Sequence, residues 1–158
     1  MTHARSSSRL RLTFALLPLL LGGCGVLGLG EDETRELLER NERVWSANAP
    51  SRYRFVLQRL CFCPQEFTQP VLVTVENGAV VSRTYVLSGQ PLAAQSISLF
   101  PAMEGVFAIL HEAIERKADR MNASYDGRLG YPTSASIDYV RNAIDDELEF
   151  RVSDFTTY

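Results

Sequence analysis

The sequence predicts an α+β fold: one domain, with an antiparallel sheet of about six strands and two helices on one of its faces. Three observations predict it. Two segments carry apolar residues at helical spacing, an Asn77-Gly78 pair divides two strand-like runs, and the segments follow the order α-βββ-α-βββ. In that order the apolar stripe of each helix and one face of the sheet can bury each other.

Glu31 to about Ala47 reads as the first helix. Glu31, Asp32 and Glu33 fill its first turn and arginines follow, as the helix dipole favours. Glu31/Arg35, Glu36/Arg40 and Glu39/Arg43 are i,i+4 pairs in the better orientation. Leu37, Leu38, Val44 and Trp45 form its apolar stripe, and Ala49-Pro50 ends it. Ser51 to Cys63 reads as a long strand, with Tyr53, Phe55 and Leu57 alternating against Arg54, Val56 and Gln58. Residues 70–75 and 79–86 flank Glu76-Asn77-Gly78, and Asn-Gly accepts positive φ at both central positions of a type I′ turn. A hairpin is therefore expected there.

Ser88-Gly89-Gln90-Pro91 breaks the chain, and residues 92–99 are expected as loop. Pro101 to Lys117 reads as the second helix, with Met103, Val106, Phe107, Leu110 and Ile114 on one face. Residues 120–125 and 133–139 are the next two strands, joined by the turn Asp126-Gly127-Arg128-Leu129-Gly130. Leu148, Phe150 and Val152 alternate in the sixth. The two halves share an order but no convincing repeat. Tandem α-βββ layouts resemble small periplasmic inhibitor-like and propeptide-like modules, many of which act by binding.

The chain ahead of this domain has a different character. Arg5, Arg9 and Arg11 precede the ten-residue apolar run Leu12 to Leu21, and no acidic residue occurs before Glu31. The run has the size of a signal-peptide core, is too short to span a bilayer, and contains Pro18. Leu21-Gly22-Gly23-Cys24 then resembles a bacterial lipobox. The expected organisation is a leader over residues 1–23, an acylated Cys24 with a tether to residue 30, and a domain over 31–158. An anchor of more than one acyl chain holds membrane stably. Gly25 after the cysteine resembles the outer-membrane sorting pattern, with the domain on the periplasmic face, if the cell has two membranes. Gly25 to Gly30 spans roughly 14 Å as a flexible chain, which keeps the domain close to the bilayer.

Removing the leader leaves 135 of 158 residues, enough for one domain with a core. The three leader arginines go with it, so thirteen basic residues face nineteen acidic ones, a net charge of −6. Lys117 is the single lysine. This balance argues against nucleic acid as a partner and against electrostatic attachment to anionic lipid.

Several segments occur together: Trp45, Tyr53-Arg54-Phe55, Cys61-Phe62-Cys63-Pro64, the hairpin 73–82, Tyr125-Asp126, Gly130-Tyr131-Pro132-Thr133, Ile137-Asp138, Asp145-Asp146-Glu147 and Val152-Ser153-Asp154-Phe155. Over about residues 40–155 the chain resembles a family of bacterial lipoproteins and exported proteins, the domain of unknown function 6174. The resemblance supports the export and fold readings and implies no catalytic residue.

Cys61 and Cys63 head the candidate site residues. On a strand, residues i and i+2 share a face with Cα atoms about 6.6–6.8 Å apart, the upper end of disulfide reach. An oxidising compartment favours the bridge. Closing so small a loop contributes at most about 1.6 kcal/mol, so its value would be local. A redox pair, a soft-metal site and an inert reduced pair are the alternatives. The acidic residues Asp126, Asp138, Asp145, Asp146 and Glu147 supply oxygens that calcium prefers, although their spacing matches no EF-hand, and turn-forming or solvated roles are commoner. His111, the one histidine after processing, precedes Glu115 by four residues, which suits a surface ion pair. No nucleophile elbow, Ser-x-x-Lys or His-Glu-x-x-His occurs, so neither a catalytic nor a metal-binding residue is assigned and no cofactor is expected.

The expected function is that of a non-enzymatic binding module of the cell envelope, anchored to the membrane through Cys24 and meeting an envelope protein. The expected contact surface joins Phe62 and Pro64, Tyr131 and Pro132, and Asp145, Asp146 and Glu147. A thiol-redox or soft-metal protein using Cys61 and Cys63, or a calcium-stabilised structural module, are the alternatives.

Overall fold

A computed structural model of the chain describes Met1, residues 30–143 and residues 146–158. The leader, Cys24, most of the tether and Asp145 lie outside the described residues. The expected order is observed: α1 (Glu31–Asn48), β1 (Arg52–Leu60), β2 (Val71–Glu76), β3 (Ala79–Tyr85), α2 (Met103–Glu115), β4 (Arg120–Tyr125), β5 (Pro132–Asp138) and β6 (Leu148–Thr157). Short 3₁₀ turns occupy Gln65–Phe67 and Ala94–Leu99, the second inside the expected loop.

All six strands form one antiparallel sheet in the order β3-β2-β1-β6-β5-β4. The first meander starts at the centre and runs outward to β3. The second starts at the far edge with β4 and runs inward to β6. The second half repeats the order of the first shifted by three places, but each of its strands runs opposite to its counterpart, which is not the arrangement of a simple duplication. The sheet has a Cys61 end, where β1, β3 and β5 finish, and an Asn77 end, where they begin.

Strand parity decides what is buried. Tyr53, Phe55 and Leu57 pair with Val75, Val73 and Val71, and all six are buried. Ala135, Ile137, Phe150 and Val152 continue that face. Against it α1 sets Leu38 and Trp45, and α2 sets Met103, Val106, Phe107 and Leu110. Alternate positions such as Arg54, Ser136 and Arg151 are exposed on the opposite face. A helical or pleated repeat of apolar groups thus finds one shared core.

Two local devices set how the helices sit. The β1–β6 register slips by one residue between Arg54 and Val56, and Asp154 takes a φ of 52° at the bulge. The extra residue resets the alternation of β6, so Phe155 joins the buried face that Phe150 and Val152 began. The second device is Gly130, at a φ of 77°. A Cβ there would lie 2.5 Å from the Asn41 carbonyl oxygen and 2.9 Å from Val44 Cβ, so α1 rests directly on this backbone.

The β1 strand stops at Leu60, three residues short of the expected Cys63, and β5 starts and ends one residue earlier than expected. His111 reaches Glu42 of α1 at 2.7 Å, not Glu115 on its own helix, because its face of α2 turns toward α1.

Gly130→Ala should lower stability by about 2–4 kcal/mol, combining a left-handed backbone with overpacking against α1. Gly127→Ala, with open space around its Cβ position, should change it by less than about 0.5 kcal/mol. Urea midpoints of the two variants check the contrast.

Candidate functional site

Beyond Leu60 the chain turns sharply. The Cys63 N–H donates to the Cys61 carbonyl at 2.8 Å, which draws the two Cα atoms to 5.3 Å, and a disulfide joins the side chains. The strand spacing assumed from sequence does not apply because the pair lies past the end of β1. The bridge holds Phe62 outward, where it is 80% exposed. Pro64, which has no N–H to donate, leads from the bridge into the 3₁₀ turn at Gln65–Phe67.

Leu60 pairs with Glu149 near the start of β6, so the β5–β6 connection emerges beside the bridged loop. Between them lies an open groove of about 380 Å³, lined by Leu60, Cys61, Phe62, Ser136, Glu147 and Glu149 among others. Glu147 is exposed. Both carboxylate oxygens of Asp146 are covered, with no hydrogen-bond partner among the described residues. On the helix side of this end, Arg116 lies 4.2 Å over the Tyr139 ring. Burial pushes the Tyr139 hydroxyl up and the nearby Arg59 guanidinium down. A second hollow, of about 390 Å³, lies between the start of α1 and the α2–β4 connection and includes Glu31, Lys117 and Arg120.

The expected contact surface is only partly assembled. Phe62, Pro64, Asp146 and Glu147 share the Cys61 end, whereas Tyr131 and Pro132 lie at the Asn77 end because β5 begins there. Pro132 is buried, and Tyr131 stacks on Phe155 at 4.5 Å between ring centroids. They are parts of the core rather than of a surface shared with Phe62. Nor do the acidic residues converge. The Asp126 carboxylate accepts the N–H groups of Arg128 and Leu129 at 3.0 and 2.7 Å, closing its own turn, while Asp138 ends β5 at the opposite end. Among the described residues, no group of three or more His, Cys, Asp or Glu side chains is placed to hold a metal.

A cluster that the alternation alone did not disclose lies at the Asn77 end. Trp45 meets Tyr53, Tyr131 and Phe155 edge-on, with centroids 5.3–6.1 Å apart, and Phe155 stacks on Tyr53 at 5.4 Å. Glu104, in the first turn of α2, accepts the Trp45 indole N–H at 3.1 Å and the Tyr53 hydroxyl at 3.5 Å. Burial first, and then the Glu104 charge, holds the Tyr53 hydroxyl far above its ordinary range. Nearby, burial and the Glu42 carboxylate push Tyr125 up to about 12. The sequence signal for the cluster is Ser153-Asp154, a polar pair that interrupts the alternation just before Phe155.

A family model described as a family of unknown function (DUF6174) matches residues 37–157. No curated protein and no solved structure matches the chain significantly.

Phe155→Ala should cost about 3–4 kcal/mol in a urea titration, while Phe62→Ala should stay within about 0.5 kcal/mol of the parent. Raised tyrosine values also give alkaline sensitivity. Unfolded Tyr125 ionises near its ordinary value of 10, whereas the folded hydroxyl holds its proton to about 12. Its contribution is therefore intact below pH 10 and lost as pH rises from 10 to 12. Tyr125→Phe should flatten that part of the stability–pH curve, measured by denaturation at each pH.

Proposed function

The chain belongs to the family of unknown function DUF6174, and from that premise we propose that it is an extracytoplasmic lipoprotein, anchored through Cys24, that works by binding rather than catalysis. The observation that carries the binding reading is Phe62. A large aromatic side chain held in water by a covalent bridge gives little to the core, yet the loop fixes its direction. Such an ordered apolar tip is what a contact surface needs, because its position is set before the partner arrives. Phe62, Pro64 and Glu147 form that surface, since the Asp146 carboxylate is covered; an envelope protein and the bilayer itself are the partners an anchored domain meets. The sequence from Arg5 to Cys24 supports the anchor by its order of positive charge, apolar run, small residues and cysteine.

A rival reading makes Cys61 and Cys63 a thiol-redox or soft-metal pair, and the bridge's place on a loop beside an open groove favours it over a purely internal brace. Thiol trapping in native envelopes separates the two. The binding reading expects a complete disulfide that survives mild reductant. Free or readily reduced thiols, with loss of function in Cys63→Ser at unchanged stability, would replace it with the redox reading.

The anchor has its own test. Mass spectrometry of the membrane fraction should find a mature N-terminal peptide that begins at Cys24 and carries acyl chains. Cys24→Ser should release the protein from membranes. An unmodified Cys24 in the native protein would remove the anchor from the proposal.

A further inference from the structure

The exposed apolar side chains are not scattered evenly. Phe62 follows β1, Val86 and Leu87 follow β3, and Val140 follows β5, with exposures of 80%, 47%, 82% and 57%. All three strands finish at the Cys61 end. The Val86 N–H donates to the Pro70 carbonyl at the start of β2, which fixes the Val86–Leu87 turn beside the bridged loop. These side chains form separate tips along one end of the sheet. Two further exposed apolar side chains, Val81 on β3 and Ile97 in the 94–99 turn, stand apart from this set, and at the opposite end the Tyr158 ring is already covered by the Arg52 guanidinium at 4.5 Å.

The chain enters the domain at the same end as the tips. Glu31, the first residue of α1, lines one hollow with Lys117 and Arg120, and Arg120 pairs with Asp138 where β5 finishes. Cys24 lies six residues before Gly30, a distance of at most about 20 Å fully extended. The nine residues of β1 extend about 30 Å. An acyl anchor on Cys24 thus has the reach to bring the Cys61 end to the bilayer, while the Asn77 end lies a full strand length farther away.

Resting on the anchored reading above, we infer that the Cys61 end lies on the bilayer, with Phe62, Val86, Leu87 and Val140 entering the interface between headgroups and acyl chains. Apolar tips on ordered loops suit that boundary, and the acyl chains make their insertion an intramolecular event at high local concentration. The exposed charges at this end have both signs with the acidic groups in excess, Glu31, Asp119, Glu66 and Glu147 among them, beside Arg116, Lys117 and Arg141. The contact is therefore apolar and does not depend on anionic lipid.

The test uses the acylated, full mature protein reconstituted in phosphatidylcholine vesicles whose acyl chains carry bromine as a fluorescence quencher. Trp45, the one native tryptophan, is 1% exposed and gives a constant background. Phe62→Trp and Leu87→Trp each report on the Cys61 end from a different loop, and Arg128→Trp reports on the other end. The inference expects blue-shifted emission, quenched by brominated lipid, from the first two and unquenched emission from the third. It also expects no change when salt is raised. Acylated protein in which positions 62 and 87 stay unquenched would overturn the inference and leave the anchor standing. The same result together with cross-linking of position 62 to a protein in intact envelopes would assign this end to a protein partner instead. Protein that lacks acyl chains on Cys24 would overturn both, and the mass of the N-terminal peptide identifies that case.

Discussion

The pairing of β1 with β6 is the interaction on which the rest of the structure depends. Each half of the chain makes a three-stranded meander from neighbouring segments, and the two meanders meet only along this central pair. The pair joins residues about as far apart in sequence as the domain allows, so its loop-closure entropy must be met by burial. Tyr53, Leu57, Phe150 and Val152 supply that burial on the helix face. Without the pair, α1 would cover one short meander and α2 would have no continuous face to pack on. The bulge at Asp154 belongs to the same pairing, since it lets Phe155 reach Trp45 and Tyr53 at the point where α1 leads into the sheet.

What was legible in the sequence was local. Asn77-Gly78 specifies its turn through backbone preferences of two adjacent residues, and the observed φ values of 49° and 77° are those the turn requires. The helices declare themselves because their stripes recur within a few residues. Phe155 was not legible by the same route. The alternation of Leu148, Phe150 and Val152 predicts an outward side chain at 155; Ser153-Asp154 marks a break, but the cross-strand register with β1 is what identifies it as a slipped residue. Gly130 is similar. Its turn was expected, but the close approach of α1, separated from it by about ninety residues, is a tertiary fact.

The same distinction explains the candidate site. Cys61-Phe62-Cys63-Pro64, Asp146-Glu147 and Tyr131-Pro132 were each conspicuous, yet their grouping depended on strand direction. In an antiparallel sheet, successive connections alternate between its two ends. Once β1 and β6 are known to be antiparallel neighbours, the β1–β2 and β5–β6 connections must share an end, and the β4–β5 turn must lie at the other. The bridge illustrates a smaller error of the same kind. Spacing along a strand gave the wrong Cα separation for Cys61 and Cys63 because the strand ends one residue before the first cysteine.

On the proposed reading, stability and contact are consequently segregated along the strands. The Asn77 end holds the aromatic cluster, the Glu104 acceptor and the α1–Gly130 approach, where a change in one side chain is felt by several buried neighbours. At the Cys61 end, order comes from a three-residue covalent loop and from connections between strands, while the apolar tips project away from the core. A short loop closed by a disulfide contributes about 1.6 kcal/mol to the whole fold, so the bridge acts mainly on the direction of Phe62. Substitutions at the exposed tips there should have little effect on folding. An end built in this way can be specialised for contact because the opposite end already secures the fold.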